Sequence, residues 1–146
     1  MRRRPVEPEA QVTVGEAQVG RGNPPEVLDG PFSTRQLLRI DEALRLADHG
    51  TGLVFSVFVG GLDEPIREHA ERLHRQLAEP DRSVLIAVSP NQRRLEVVTG
   101  RHARKRIPDT YARLAALSMV AAFGLGDLAG GIINGLDQLA SHAGRG

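Results

Sequence analysis

Residues 83–100 read SVLIAVS, PNQR and RLEVVTG in succession, and no other stretch narrows the choice of fold as far. Val84, Leu85, Ile86, Ala87 and Val88 form an unbroken apolar run, too short for a buried helix and rich in β-branched side chains. Such a run predicts a strand covered on both faces. Pro90 and Asn91 supply turn chemistry, because Pro presets φ and Asn tolerates turn conformations. Leu95, Val97 and Thr99 then alternate with Glu96 and Val98, predicting a partner strand that is less buried on one side. The expectation is a β-hairpin at the centre of a small α/β domain. No catalytic signature sits on it.

Upstream, LVFSVFVG carries Val54, Phe55, Val57 and Phe58 and predicts a second buried strand over 53–60. Between the two strands, Asp63 is placed to cap a helix, with Glu64 and Pro65 in its first turn. Ile66, Ala70, Leu73 and Leu77 form its apolar stripe, with Arg67, Glu68, Glu71, Arg72 and Arg75 outside. Strand, helix and strand of these lengths make a βαβ unit, so the strands at 53–60 and 83–89 are expected to be parallel. The hairpin adds a third strand antiparallel to the second.

Nearer the start, Ser33 and Gln36 form an S-x-x-Q capping box that places a helix start at about Thr34. Leu37, Ile40, Leu44 and Ala47 follow at helical spacing, and Gly50 is expected to end that helix. Gln11 to Val14 alternates weakly, as an added edge strand would. After Gly100 comes RHARKRIPD, a basic turn or short helix. Asp109 is placed to cap the next helix, whose apolar mass comes from Tyr111, Leu114, Leu117, Met119, Val120 and Phe123. The run breaks at 124–127, and Asp127 caps a last helix with Leu128, Ile132, Leu136 and Leu139 on one face. Gly130, Gly131 and Gly135 inside that helix each cost about 1 kcal/mol relative to Ala. They point to close packing against a neighbour or to fraying.

With 146 residues, one domain plus a tail is the natural organisation. Residues 1–26, with Pro5, Pro8, Pro24 and Pro25 among charges, read as a flexible tail, and 27–143 as the domain. A net charge of +1 gives no global argument for nucleic acid, and one tyrosine with no tryptophan leaves little to stack on bases. The absence of cysteine removes disulfides, thiolate metal sites and cysteine nucleophiles. MRRRPVEPEAQ has no apolar segment behind its positive start, and no window approaches the roughly 20 apolar residues of a membrane span. A cytoplasmic setting is expected.

Four acidic residues fall near loops or helix starts: Asp29, Asp63, Asp109 and Asp127. Converging carboxylates at one end of a sheet suit a hard divalent cation, Ca²⁺ or Mg²⁺. Asp63 and Asn91 follow the carboxyl ends of the two parallel strands, where open α/β sheets bind ligands. Capping alone accounts for Asp63, Asp109 and Asp127, each worth about 1 kcal/mol in that role. His49, His69, His74, His102 and His142 offer no metal-ligand pair at i, i+4. The serines sit in no G-x-S-x-G elbow, and Gly60-Gly61 lacks the lysine and spacing of a phosphate loop. Arg101, His102, Arg104, Lys105 and Arg106 are the concentrated basic patch, with Arg101, Arg104, Lys105 and Arg106 as candidates for an anionic partner. The apolar C-terminal helical pair, residues 115–139, exceeds what a small sheet needs, which points to core packing, a homodimer or a docking face.

Six segments together resemble one family: V-L-D-G-P-F-S at 27–33 (one residue shorter than the family's usual spacing), T-G-L-V-F-S-V-F-V at 51–59, D-R-S-V-L-I-A-V-S at 81–89, R-L-E-V-V-T-G at 94–100, I-P-D at 107–109 and G-D-L-A-G-G-I at 126–132. In order and spacing they are similar to the TPM domain, in particular the compact uncharacterised TPM-like proteins of high-GC Gram-positive bacteria. The resemblance implies a three-layer α/β/α sandwich with a small mixed sheet. It also implies that Asp29, Asp109 and Asp127 fall where the family has aspartates, although Gly30 stands in place of the second residue of the usual Asp-Asp pair. Acid phosphatase activity and divalent-cation binding are proposed for some members, and others look like assembly modules. The leading expectation is a non-catalytic interaction module with a protein partner. The alternative is a cation-dependent phosphatase-like hydrolase, and the third is anion or nucleic-acid binding through residues 101–106, against which the weak net charge argues.

Overall fold

Every residue of the strand Ser83–Ser89 is buried, and the remaining elements are arranged around it. The computed structural model describes residues 12–14 and 32–145. In chain order the elements are β1 (Val12–Val14), α1 (Thr34–Thr51), β2 (Val54–Val59), α2 (Ile66–Arg75), a 3₁₀ turn (Pro80–Arg82), β3 (Ser83–Ser89), β4 (Arg94–Thr99), α3 (Arg101–Arg106), α4 (Asp109–Leu125) and α5 (Leu128–Ala143). The sheet order is β1-β2-β3-β4. β1 and β2 are parallel, as are β2 and β3, and β4 runs antiparallel to β3. Val57, Ile86 and Val97 sit side by side across three strands.

Alternation along the strands divides the core in two. Phe55, Val57, Val59, Val84, Ile86, Val88, Leu95 and Val97 meet Ile40, Leu44, Met119, Ile132, Leu136 and Leu139 from α1, α4 and α5. Leu85, Ala87 and Val98 point the other way, onto Leu62, Ile66 and Ala70 under α2. The fold is therefore a three-layer α/β/α sandwich with a mixed sheet. One layer is α2; in the other, α5 packs against both α1 and α4. The β-branched run of β3 is continuous because both of its faces have a helix to meet.

The expected capping box at the start of α1 is present. The Gln36 amide N–H donates to Ser33 Oγ at 3.1 Å, and the Ser33 N–H donates to Gln36 Oε1 at 2.9 Å. That helix passes through Gly50, however, and stops at Gly52, which takes the left-handed conformation at φ 81°. Thr51 sets this later stop: its hydroxyl donates to Ala47 O at 2.7 Å and accepts the Leu53 N–H at 3.0 Å. Asp48 then ties the helix end to the sheet by accepting the Phe55 N–H at 2.7 Å.

Two expected caps are displaced. α2 begins only at Ile66, with Pro65 as its N-cap, no side-chain cap bond and a cis Glu64–Pro65 peptide. Asp63 lies further back in the loop, its N–H donating to His69 Nδ1 at 2.8 Å. Likewise Pro108 is the N-cap of α4, and Asp109 is the first helical residue, where its charge complements the helix dipole without capping. Asp127 does cap α5, accepting the Gly130 N–H at 3.1 Å. The glycines of α5 mark close packing: a Cβ on Gly131 would stand 2.5 Å from the Ala122 Cβ, and one on Gly135 2.6 Å from Met119 Cγ.

The edge strand expected within Gln11 to Val14 forms as β1, which brings three residues of the stretch read as a tail into the sheet. The rest of that tail, and Asp29 with it, lies outside the described residues. Among the described residues, no helix is long and apolar enough to cross a membrane.

Candidate functional site

The crevice beyond the carboxyl ends of β2 and β3 is bridged by the chain's own polar groups. The Gln92 side chain clamps the main chain of Leu62, accepting its N–H at 2.9 Å and donating to its carbonyl at 3.0 Å. The Ser89 hydroxyl donates to the same Gln92 Oε1. This latch pins the buried Leu62 beneath α2 and fills part of the space where a ligand of an open sheet would lie.

The acidic candidates are not drawn together. Asp63 is in the loop after β2, while Asp109 and Asp127 stand at opposite ends of α4, roughly 27 Å apart along a helix rising 1.5 Å per residue. Asp109 faces Arg104 at 3.8 Å, and Asp127 is occupied at the start of α5. Among the described residues, no group of three or more His, Asp or Glu is placed to hold a metal ion.

The basic candidates turn largely toward the main chain. Arg104 donates to Thr99 O at 2.8 Å. Arg106 donates to Thr51 O at 2.8 Å, Ala143 O at 3.1 Å and Gly144 O at 2.7 Å, so one guanidinium joins the ends of α1 and α5. Arg82 adds a bond to Gly52 O at the same end of α1. Cations at helix C-termini answer both the orphan carbonyls and the dipole. Arg101 pairs loosely with Asp81 at 3.5 Å, and Lys105 is exposed.

A cleft of 320 Å³ opens beside β4, lined by Arg67, Glu96, Val97, Asp109, Ala112, Arg113 and Ala116. Arg67 crosses it from α2, donating to Glu96 Oε1 and to Val97 O at 3.0 Å each and to Glu71 at 3.1 Å. Burial works to lower the Arg67 pKa, but the hydrogen bonds and charges of Glu96 and Glu71 outweigh it and hold the group above its ordinary value. The guanidinium thereby covers an open strand edge that would otherwise invite another chain. A saturated ion-pair cluster of this kind offers neither a free base nor a nucleophile.

Sequence reasoning weighed His74 only as a metal ligand and set it aside; the structure gives it a structural role. It is buried, and its Nε2 donates to Ser83 O at 3.0 Å, joining α2 to the start of β3. Desolvation by burial, chiefly, together with the charges of Arg104, Arg67 and Arg75, lowers its pKa below the ordinary value against the opposing pull of the Ser83 bond. The local signal was slight, since His74 neighbours Leu73 on the stripe.

The outer face of α4 is where apolar surface stays uncovered. Leu114, Leu117 and Leu125 are 55%, 62% and 83% exposed. At i, i+3 and i+11 they share one stripe with Ser118 and Ala121, and positions 114–126 carry no charge. On α1, Leu38 and Leu46 are also exposed, but Arg35, Arg39, Glu42 and Arg45 stand among them, the ordinary pattern of single surface leucines. Tyr111, near the start of the α4 stripe, stacks on His142 of α5 with ring centroids 3.6 Å apart.

Comparison with known proteins gives the setting of this geometry. An uncharacterized protein of Mycobacterium tuberculosis strain H37Rv is 32% identical over 111 residues, and the match spans 76% of this chain and 66% of that protein's length. The solution structure of the N-terminal domain of a Porphyromonas gingivalis protein ("P.gingivalis") superposes with a TM-score of 0.71 at 21% identity, over 90% of this chain and 80% of that one. The N-terminal domain of the cg2496 protein from Corynebacterium glutamicum does so with a TM-score of 0.66 at 15% identity, over 97% and 84%. At these identities the two structures establish the shared fold. The model of the family described as Domain of unknown function (DUF5130) matches residues 11–140, nearly the whole chain, and the chain belongs to that family.

Proposed function

We propose that this domain is a non-catalytic, cytoplasmic TPM-like interaction module that docks through the outer face of α4. One observation carries the reading: an uncharged stripe with three leucines more than half exposed on one helix, whereas the exposed leucines of α1 stand among charges. Covering one leucine is worth about 1.5–3 kcal/mol, so a surface that leaves three open on one helix has that much to gain from a partner. Under this reading the aspartates serve the chain itself. Asp127 caps α5, and Asp109 sits in the first turn of α4.

The test is site-specific photo-crosslinking in cells that make the protein, with the reactive group at Leu117 and, as control, at the equally exposed Leu38. A discrete adduct from position 117, absent from position 38 and abolished by Leu114→Glu, is the expected result. Equal labelling from both helices, or none from α4, would overturn the proposal.

A further inference from the structure

We infer that the occupant of the α4 face is a second copy of this chain, packed with its own α4 antiparallel about a two-fold axis; this rests on the docking reading above. The argument comes from how the face is laid out. Its exposed residues from 114 to 125 are Leu114, Leu117, Ser118, Ala121, Gly124 and Leu125. The two end leucines, Leu114 and Leu125, share a midpoint between positions 119 and 120. The two small central residues, Ser118 and Ala121, share the same midpoint. In an antiparallel pair centred there, each end leucine meets the other copy's opposite end leucine, and the small residues face each other, so the backbones can approach closely.

Leu117 then fits the same arrangement. It lies over the second copy's positions 118, 121, 122 and 125, the four-residue hole that receives a knob in antiparallel helix packing. Ser118 and Ala121 leave that hole shallow on its exposed side, and Ala122, buried against Gly131, forms only its floor, which suits a leucine.

Charge agrees with this register. Arg113 stands just before the stripe and Asp127 just after it, and their midpoint is position 120, within one residue's rise of the same centre. Among the described residues Arg113 makes no ion pair, and Asp127 Oδ1 accepts only the Gly130 N–H. Antiparallel docking therefore sets each Arg113 level with the other copy's Asp127, once at each end. A parallel pair would set arginine beside arginine. An isologous contact of this kind closes on itself as a dimer and does not propagate. One helix face is smaller than the roughly 800 Å² per partner of a standard interface, so the expected dissociation constant is in the range of about 10–100 µM.

The experiment uses the full chain, which contains no cysteine, so every introduced thiol is unique. Sedimentation across that concentration range should show a mass rising from one chain toward two. Leu117→Glu, a surface change that leaves the core intact, should weaken association at least roughly tenfold. Mixing Leu114→Cys protein with Leu125→Cys protein under mild oxidation should give a disulfide-linked pair in higher yield than either alone, and Leu38→Cys should give none. Self-linking of each single variant in place of the mixed product would mean a parallel pair and overturn the proposal. A constant monomer mass with no cross-link above the Leu38→Cys control would also overturn it. If the photo-crosslink from Leu117 nevertheless joins α4 to a different protein, the docking reading stands and the second copy is refuted. If no adduct forms there at all, both fall.

Discussion

Arg106 is the residue whose removal should cost this fold more than its surface position suggests. Its guanidinium reaches three carbonyl oxygens on two elements, Thr51 O at the end of α1 and Ala143 O and Gly144 O at the end of α5. A hydrogen bond to a charged group contributes about 1.5–3 kcal/mol, and partial exposure puts these at the low end. Water can reach the two acceptors at the end of α5, so that pair is worth about 1 kcal/mol together, and the Thr51 bond about 1.5. Arg106→Ala should therefore lose about 2.5 kcal/mol in urea unfolding. Arg106→Lys keeps the charge but has no planar fork to span both helix ends, so it should recover about half. Hydrogen exchange should quicken in the last turn of α5 and leave α2 unchanged. A loss below about 0.5 kcal/mol for Arg106→Ala would refute the argument outright, and full recovery by lysine would refute it by showing that charge near the helix ends matters and the fork does not.

Three further outcomes follow from the same geometry. His74 is held below its ordinary pKa, so the unfolded chain binds more protons once pH falls below about 6.5, and stability should decline from there until the folded-state pKa is passed; His74→Asn should flatten that decline in unfolding curves at pH 7.5 and 5.5, roughly one pH unit either side of the reference value, and an unchanged slope would remove His74 from the account. Gly131→Ala should destabilise by about 2 kcal/mol and Gly135→Ala by less than about 1, because a Cβ at 131 meets the fixed Ala122 Cβ whereas Met119 can shift its flexible end; the reverse order in thermal unfolding would contradict the packing argument. Gln92→Ala should cost about 1–2 kcal/mol and expose the Leu62 amide to exchange, while an amide still protected would show that the latch is dispensable.

What could be read from the chain beforehand was what neighbouring residues decide among themselves. The S-x-x-Q box at Ser33, the apolar run 84–88 and the Asp127 cap are signals complete within a few positions, and each has its expected structure. Gly50 and Gly52 are equally good helix stops on local grounds; the choice fell to Thr51, whose hydroxyl bonds depend on where β2 begins. Asp63 lost its place as a cap because Gln92, thirty positions away, holds Leu62 and carries the loop on to Pro65. In the basic run 101–106 sequence shows charge and not direction: Arg104 turns back to Thr99 O, five positions away, while the carbonyls that receive Arg106 belong to distant stretches, and Arg101 and Lys105 stay exposed. The α4 face was legible as an excess of apolar residues, but only packing separates buried Met119 from exposed Leu117.

The tight seam between α4 and α5 also bears on how α4 meets anything outside. Ala122 and Met119 are seated against Gly131 and Gly135, so α4 has no room to roll about its own axis, and Tyr111 stacked on His142 restrains it further. The leucines on its far side are thus a rigid ridge with its orientation settled at folding, and under the proposed docking a partner would meet it without first having to order it. A bulkier residue at Gly131 would turn that ridge by pressing on the helix from behind. The proposed docking would then be vulnerable at a position that the partner does not touch.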